Sequence, residues 1–532
     1  MRRHHRTTPR ITRVLGSLLL VAAASAFTVG AAPAPEGAAV PLDRVVPAPA
    51  SVAPGGSPYR ITRDARIRVT DSHEVRRVGE YLAGILRPST GYPLPVTTDG
   101  GGGIQLRLKP GMFGAEGYRL DSGRGGVTIT ASAPAGLFHG VQTLRQLLPA
   151  AVEKKDVQPG PWTVAGGTIK DSPRYAYRGA MLDVSRHFFT VGQVKRYIDQ
   201  LALYKVNKLH LHLSDDQGWR IAIDSWPRLA AYGGSTEVGG GQGGFYTKAD
   251  YQEIVRYAAS RYLEVVPEID MPGHTNAALA SYAELNCDGT APPLYTGTNV
   301  GFSSLCVPKQ ITYDFVDDVI RELAALTPGR YLHIGGDEAH STSHDDYVAF
   351  MDRVQPLVAK YGKTVIGWHQ LTGAHPVPGA LAQYWGLDGT SAAEKAQVAQ
   401  AAQAGTGLIL SPADRIYLDM KYDENTPLGL HWAGYVEVQR SYDWDPGTYL
   451  PGAPSSAIRG VEAPLWSETV TKSTDIEYMA FPRIAGAAEL GWSPAATHDW
   501  DRYKVRLAAQ GPRWDALGIT YYKSPQVPWP AS

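Results

Sequence analysis

Two acidic residues stand side by side at the end of an apolar run, in YLHIGGDEAH at 331–340. Adjacent carboxylates repel, so one of Asp337 and Glu338 is expected to keep its proton toward neutral pH while the other stays anionic, which is the division of labour a general acid needs. The run 331–334 alternates and is rich in strand formers, and Gly335 and Gly336 remove side-chain bulk, so it reads as a buried strand that opens at its C-terminal end. Neighbours on a regular strand face opposite ways. Both carboxylates therefore reach one pocket only if the strand ends or bulges there, which the glycines permit. The plainer alternative is a strand-to-helix turn in which Asp337 or Glu338 caps a helix over 345–361.

The elements around this pair repeat. Runs of β character at 179–184, 208–213, 264–269, 331–334, 364–367, 381–384, 407–410 and 459–463 alternate with helix-length segments, and the pattern predicts an α/β chain containing a (β/α)8 TIM barrel. Their C-terminal ends carry DVSRHF, HLSDDQGWR, PEIDMPGH, GGDEAH, GWHQ, QYWG, SPADRIYLD and PLWSE. In this fold the active site lies on that rim, so Arg186, Asp215, Asp270, His274, Asp337, Glu338, Trp368, Trp385, Tyr417, Asp419, Trp466 and Glu468 are expected to be neighbours despite their separation in sequence.

Before the barrel, residues 40–172 read as a small α+β domain. The pattern is a strand at 59–69, a helix at 73–86, a strand at 104–108, a hairpin at 118–130 and a helix at 135–148, with Asp99 and Glu116 read as solvated loop residues. The barrel and a C-terminal helix take 173–532. Residues 1–39 begin with five arginines within thirteen positions, continue apolar over 14–27 and turn to Ala, Pro and Gly, the pattern of a signal peptide and linker. The expected product is secreted and has no membrane span after signal removal. Cys287 and Cys306, the only cysteines, are expected to form one disulfide in such a compartment.

Lys plus Arg and Asp plus Glu balance at 51 each, which leaves no basic field for nucleic acid. With 12 Trp and 29 Tyr the composition suits an uncharged, hydroxylated ligand such as a sugar, whose C–H faces stack on aromatic rings, although core packing uses the same residues. His210 and His212 form an H-x-H pair suggestive of a metal-dependent amidohydrolase-like barrel, but the remaining ligands of such a set are missing, and neither metal nor cofactor is expected. There is no G-x-S-x-G elbow and no phosphate loop. Glycoside cleavage fits better, because it needs a proton donor, a second carboxylate and aromatic walls. An inactive sugar-binding barrel is the alternative from a different class, and the intact acidic pair argues against it.

HIGGDE at 333–338, DVSRHF at 183–188, HLSDDQGWR at 212–220, PEIDMPGH at 267–274 and LWSE at 465–468 together resemble family 20 glycoside hydrolases, in particular secreted bacterial β-N-acetylhexosaminidases of the streptomycete kind, over about residues 40–532. The resemblance implies exo action on a terminal non-reducing N-acetylhexosamine of a β-linked oligosaccharide, with retention and an oxazolinium intermediate formed by the sugar's own acetamido group. It implies Glu338 as acid and then base, Asp337 as the group that orients the acetamido N–H, and Tyr417 as donor to the acetamido oxygen. Trp368, Trp385 and Trp466 would wall the acetamido methyl, and Arg186, Asp419 and Glu468 would bind hydroxyls at the closed end. Trp432 would stack near the leaving sugar, and Asp215 with His274 would tune Glu338.

Overall fold

The computed structural model describes residues 39–531. The expected signal peptide thus lies outside the described residues. Among these, no helix is long and apolar enough to cross a membrane.

Eight parallel strands close into a barrel in chain order: Tyr177–Asp183, Lys208–His212, Glu264–Glu268, Tyr331–His333, Thr364–Trp368, Leu381–Tyr384, Gly407–Leu410 and Ile458–Leu465. Alternation along each strand sends every second side chain inward, and the inward residues form layers. Tyr177, Val266, Ile366, Leu381 and Ile409 make an apolar plug. Further along the strands the interior turns polar, with His210, His212, Glu268, His333, Gln383 and Glu462 all buried. A barrel interior this polar must be internally hydrogen-bonded, and it is: His210 lies between Glu462 at 2.7 Å and Glu268 at 2.9 Å, and His212 lies between Glu268 at 2.5 Å and Asp215 at 2.6 Å.

The helices that wrap the barrel start where the sequence supplies caps. Thr190 and Thr247 form capping boxes with Gln193 and Asp250, and Ser343 accepts from the Asp346 amide to open His344–Lys360. Ser343 is the cap, not Asp337 or Glu338, so the acidic pair is left for another use.

The N-terminal part builds a seven-stranded sheet in the order Ser51–Pro54, Gly167–Asp171, Tyr118–Gly123, Gly126–Ala131, Ile104–Leu108, Ile67–Val69, Val96–Thr97, with helices His73–Thr90 and Pro134–Gln146 packed on it. The strand expected over 59–69 is two strands in different sheets, Tyr59–Arg60 and Ile67–Val69. A turn closed by the Ala65 amide on the Thr62 carbonyl separates them. Glu116, expected in solvent, instead ties this sheet to the barrel. It accepts from Arg178 at 3.2 Å and Asn207 at 3.3 Å and lies 3.1 Å from His139. Sequence distance hid these partners.

Candidate active site

The fourth barrel strand stops at His333, four residues before Asp337. Gly335 and Gly336 then take φ of 67° and 102°, and Glu338 itself adopts φ 47°. A Cβ on Gly335 would meet the Asp270 carboxylate at 1.8 Å and its Cα at 2.7 Å, so no other residue fits that close approach. A left-handed glutamate costs about 1–2 kcal/mol, and His274, also left-handed at φ 56°, faces it. This turn is what lets two adjacent carboxylates serve one cavity.

That cavity, of about 210 Å³, is lined by Arg186, His274, Asp337, Glu338, Trp385, Tyr417, Asp419, Trp432, Trp466 and Glu468, together with Thr298, Val300 and Leu430. Ten of the expected site residues thus come together at the C-terminal rim. Trp432 is 50% exposed and stands at the mouth, with its ring edge-on to Trp385 and Tyr417 at 6.0 Å each. Arg186 and Asp419 are buried in the cavity wall, with Glu468 beside them; Arg186 also lies over the Trp466 ring at 5.0 Å.

Three expected residues, Trp368, Asp215 and Asp270, do not line it. Trp368, read as a wall, is fully buried one layer deeper, where it packs on Trp466 at 5.8 Å and donates its indole N–H to Glu268 at 2.9 Å. It sits on the strand proper and points into the barrel, whereas Trp385 and Trp466 follow their strand ends. Asp215, placed on the rim and read as tuning Glu338 with His274, does not line the cavity, because its oxygens are already committed. Oδ2 meets His212 at 2.6 Å and Arg186 at 3.1 Å, and Oδ1 meets His274 at 3.0 Å and the Asp216 amide at 2.6 Å. It is a positioning group.

His274 connects this support to the acidic pair, with Nε2 3.4 Å from Asp337 Oδ2 and 3.3 Å from Glu338 Oε2. Both are at ion-pair distance, and neither is aligned as a hydrogen bond. Burial opposes the imidazolium, but the Asp215 and Asp337 charges outweigh it and hold His274 protonated well above the ordinary histidine range. Burial likewise pushes Asp337 up, but the His274 charge overrides it and leaves the carboxyl below its usual range. The carboxyl held protonated against its neighbour is therefore not Asp337. It is Asp270, raised well above the usual range by burial and then by the Asp337 charge; its Oδ1 accepts from the Gly336 amide at 3.0 Å. Asp419 and Glu468 are also raised, Asp419 by burial and the Glu468 charge, and Glu468 by burial that Arg186 only partly offsets.

Among the described residues the buried Asp419 Oδ2 lacks a donor, whereas Asp337 has the raised Asp270 carboxyl as well as His274 for partners. An unpaired buried acceptor is costly unless a ligand supplies the hydrogen. The H-x-H pair faces the barrel interior with both ring nitrogens of each imidazole engaged by carboxylates, so it is a structural link and not a free donor set.

Sequence reasoning did not single out Thr298, Val300 and Leu430. The first two lie in the loop closed by the Cys287–Cys306 disulfide, whose Cα atoms are 4.9 Å apart. These side chains carry no reactive group, so only the loop's position between the cysteines could have drawn attention to them.

Two family models match this chain: the glycosyl hydrolase family 20 catalytic domain over residues 175–495 and family 20 domain 2 over residues 43–172. A β-N-acetylhexosaminidase of Cellulomonas fimi is 43% identical over 479 residues, which is 89% of this chain and 95% of that protein. The GH20 β-N-acetylhexosaminidase of Streptomyces coelicolor A3(2) is 78% identical with a TM-score of 0.92, covering 93% of this chain and 100% of that one. A mutant β-hexosaminidase of Streptomyces plicatus, solved with its product GlcNAc, matches at 78% identity and a TM-score of 0.92 over 93% of this chain and 99% of that one. The barrel, the acidic turn and likeness along nearly the whole chain agree: the chain belongs to glycosyl hydrolase family 20 and is a glycoside hydrolase of the β-N-acetylhexosaminidase type.

Proposed function

We propose that the enzyme removes the terminal non-reducing N-acetylhexosamine from β-linked oligosaccharides such as chito-oligosaccharides, with retention, the sugar's acetamido oxygen serving as nucleophile. The observation that carries this reading is the buried Asp337 carboxylate, held below its usual range by His274 in the wall of a monosaccharide-sized cavity. An acetamido N–H donates to it. Tyr417, whose phenol burial and then the Asp337 charge keep protonated far above its usual range, donates to the acetamido oxygen.

In the first step the acetamido oxygen forms a bond to the anomeric carbon as the glycosidic C–O bond breaks, and Glu338 gives its proton to the departing oxygen. The positive charge that spreads over the oxazolinium ring faces the Asp337 carboxylate. Water then attacks the same carbon, loses a proton to Glu338 and opens the ring, so two inversions restore the β configuration. Trp385, Trp466 and Tyr417 enclose the acetamido group, with Trp368 filling the space behind Trp466. In this reading Arg186, Asp419 and Glu468 meet the terminal hydroxyls and close that end of the cavity, which makes the action exo, and the unpaired Asp419 Oδ2 takes one hydrogen bond. The GlcNAc bound to the Streptomyces plicatus relative supports the choice of sugar.

Product analysis of a chitohexaose digest tests the reading. Monosaccharide is expected from the first turnover; early dimers and trimers would contradict the closed end. We also infer that the mature enzyme is exported, in keeping with the arginine-led apolar start and the Cys287–Cys306 disulfide.

A further inference from the structure

Two residues of HLSDDQGWR at 212–220 take no part in the proposed reaction, Asp216 and Gln217. They form the turn between the short antiparallel strands Ser214–Asp215 and Gly218–Trp219, and each is only 1% exposed. We propose that they are positioning residues, which hold the loop closed by Cys287–Cys306 as a wall of the sugar cavity, Gln217 doing so in register with Arg186. The proposal rests on the reading of Arg186 as a group that meets the terminal hydroxyls.

That loop has no ladder of its own. Between the turn Ala283–Leu285 and the helix Gln310–Leu326 the chain forms neither helix nor strand, so its place depends on tertiary bonds. The disulfide joins the two ends, and Thr298 and Val300, which line the cavity, lie between them. Gln217 reaches this middle part. Its Nε2 donates to the Gly297 carbonyl at 2.9 Å, one residue before Thr298, while its Oε1 accepts from Arg186 Nε at 3.1 Å. Asp216 holds the far flank. Its Oδ1 accepts from the Ser303 hydroxyl at 2.5 Å and from the Asn276 amide at 2.9 Å, and Ser303 Oγ accepts in turn from the Thr275 amide at 2.9 Å.

An amide at 217 is what both partners require. The Arg186 guanidinium only donates and the Gly297 carbonyl only accepts, so a carboxylate there would serve the arginine and repel the carbonyl, and an apolar side chain would leave both unmatched. A backbone bridge runs alongside, with the Val238 amide donating to the Arg186 carbonyl at 2.9 Å and the Gly239 amide to the Thr296 carbonyl at 2.8 Å. Loss of the side-chain link should therefore shift the wall and not release it, which places the effect on how the sugar fits.

Gln217→Glu keeps the acceptor for Arg186 and removes the donor to the loop. Ser303→Ala loosens the same loop from the Asp216 side without touching Arg186. On an aryl N-acetyl-β-glucosaminide each is expected to raise KM by about five- to tenfold while kcat changes by less than about threefold. Hydrogen exchange should quicken in residues 288–305 and stay as it is in the barrel strands. An unaltered KM in either variant would overturn the assignment. So would a loss shared equally by kcat and KM with faster exchange across the barrel, because the residues would then be merely structural. Arg186→Lys, measured beside them, separates the proposal from the reading beneath it. An unaltered KM there would overturn the hydroxyl role of Arg186 and the proposal with it, whereas a KM raised in Arg186→Lys but not in Gln217→Glu would overturn the positioning role alone.

Discussion

His274 Nε2 stands 3.3 Å from Glu338 Oε2 while its Nδ1 is held by Asp215 at 3.0 Å. The imidazolium thus meets the acidic turn through one nitrogen and its buried support through the other. Asp215 is in turn fixed by His212 and Arg186, so a continuous series of carboxylates and imidazoles runs from Glu462 through His210, Glu268, His212, Asp215 and His274 to Glu338.

Asp215→Asn removes the largest charge that keeps His274 protonated against burial. His274 should then lose its proton at lower pH. The alkaline limb of the kcat/KM profile on an aryl substrate should move toward acid by about one unit or more, with a lower plateau. An unmoved limb would show that the His274 charge does not govern turnover.

Glu338→Gln keeps shape and removes the proton. The rate on chito-oligosaccharides should fall on the order of 10²-fold or more, and much less on aryl glycosides whose leaving groups need little protonation. Matched losses on both substrate classes would remove Glu338 from the first step.

Asp337→Asn leaves the acetamido group poorly oriented and the oxazolinium without its facing carboxylate. The loss should fall on kcat, on the order of 10²-fold, more than on KM, and an aryl β-glucoside that lacks the acetamido group should be nearly inert with the unmodified enzyme. Trapping of a side chain as a glycosyl ester by a 2-fluoro glycoside would refute the substrate-assisted route.

The buried link itself should respond to pH. Burial opposes the charge on His210, but Glu462 and Glu268 overcome it and raise its pKa to about 9. Because the folded value lies above the unfolded one of about 6.5, this contribution is complete below about pH 6.5 and is lost as pH rises through about 9. The thermal midpoint should therefore drop by several degrees between pH 6.5 and 9.5, and His210→Asn should flatten that part of the curve while lowering its plateau. A midpoint in the unmodified enzyme that is constant across this range would contradict a charged His210.

The barrel was legible in the sequence because β-like runs alternating with helix-length segments and polar strand ends are local signals, and all eight strands lie where those signals fall. The acidic turn was legible for the same reason: Gly335 and Gly336 mark a backbone that cannot continue as a regular strand. Charge states were not. Adjacent in sequence, Asp337 and Glu338 looked like a pair that shares a proton, but folding brings His274 to both, and the carboxyl raised against the Asp337 charge is Asp270, a residue from another strand end. The depth of Trp368 and the anchoring use of Glu116 were equally closed to sequence reading. Each depends on which distant segment arrives beside it. Local patterning selects the element and its face; desolvation and pairing are set by neighbours that only the closed barrel brings together.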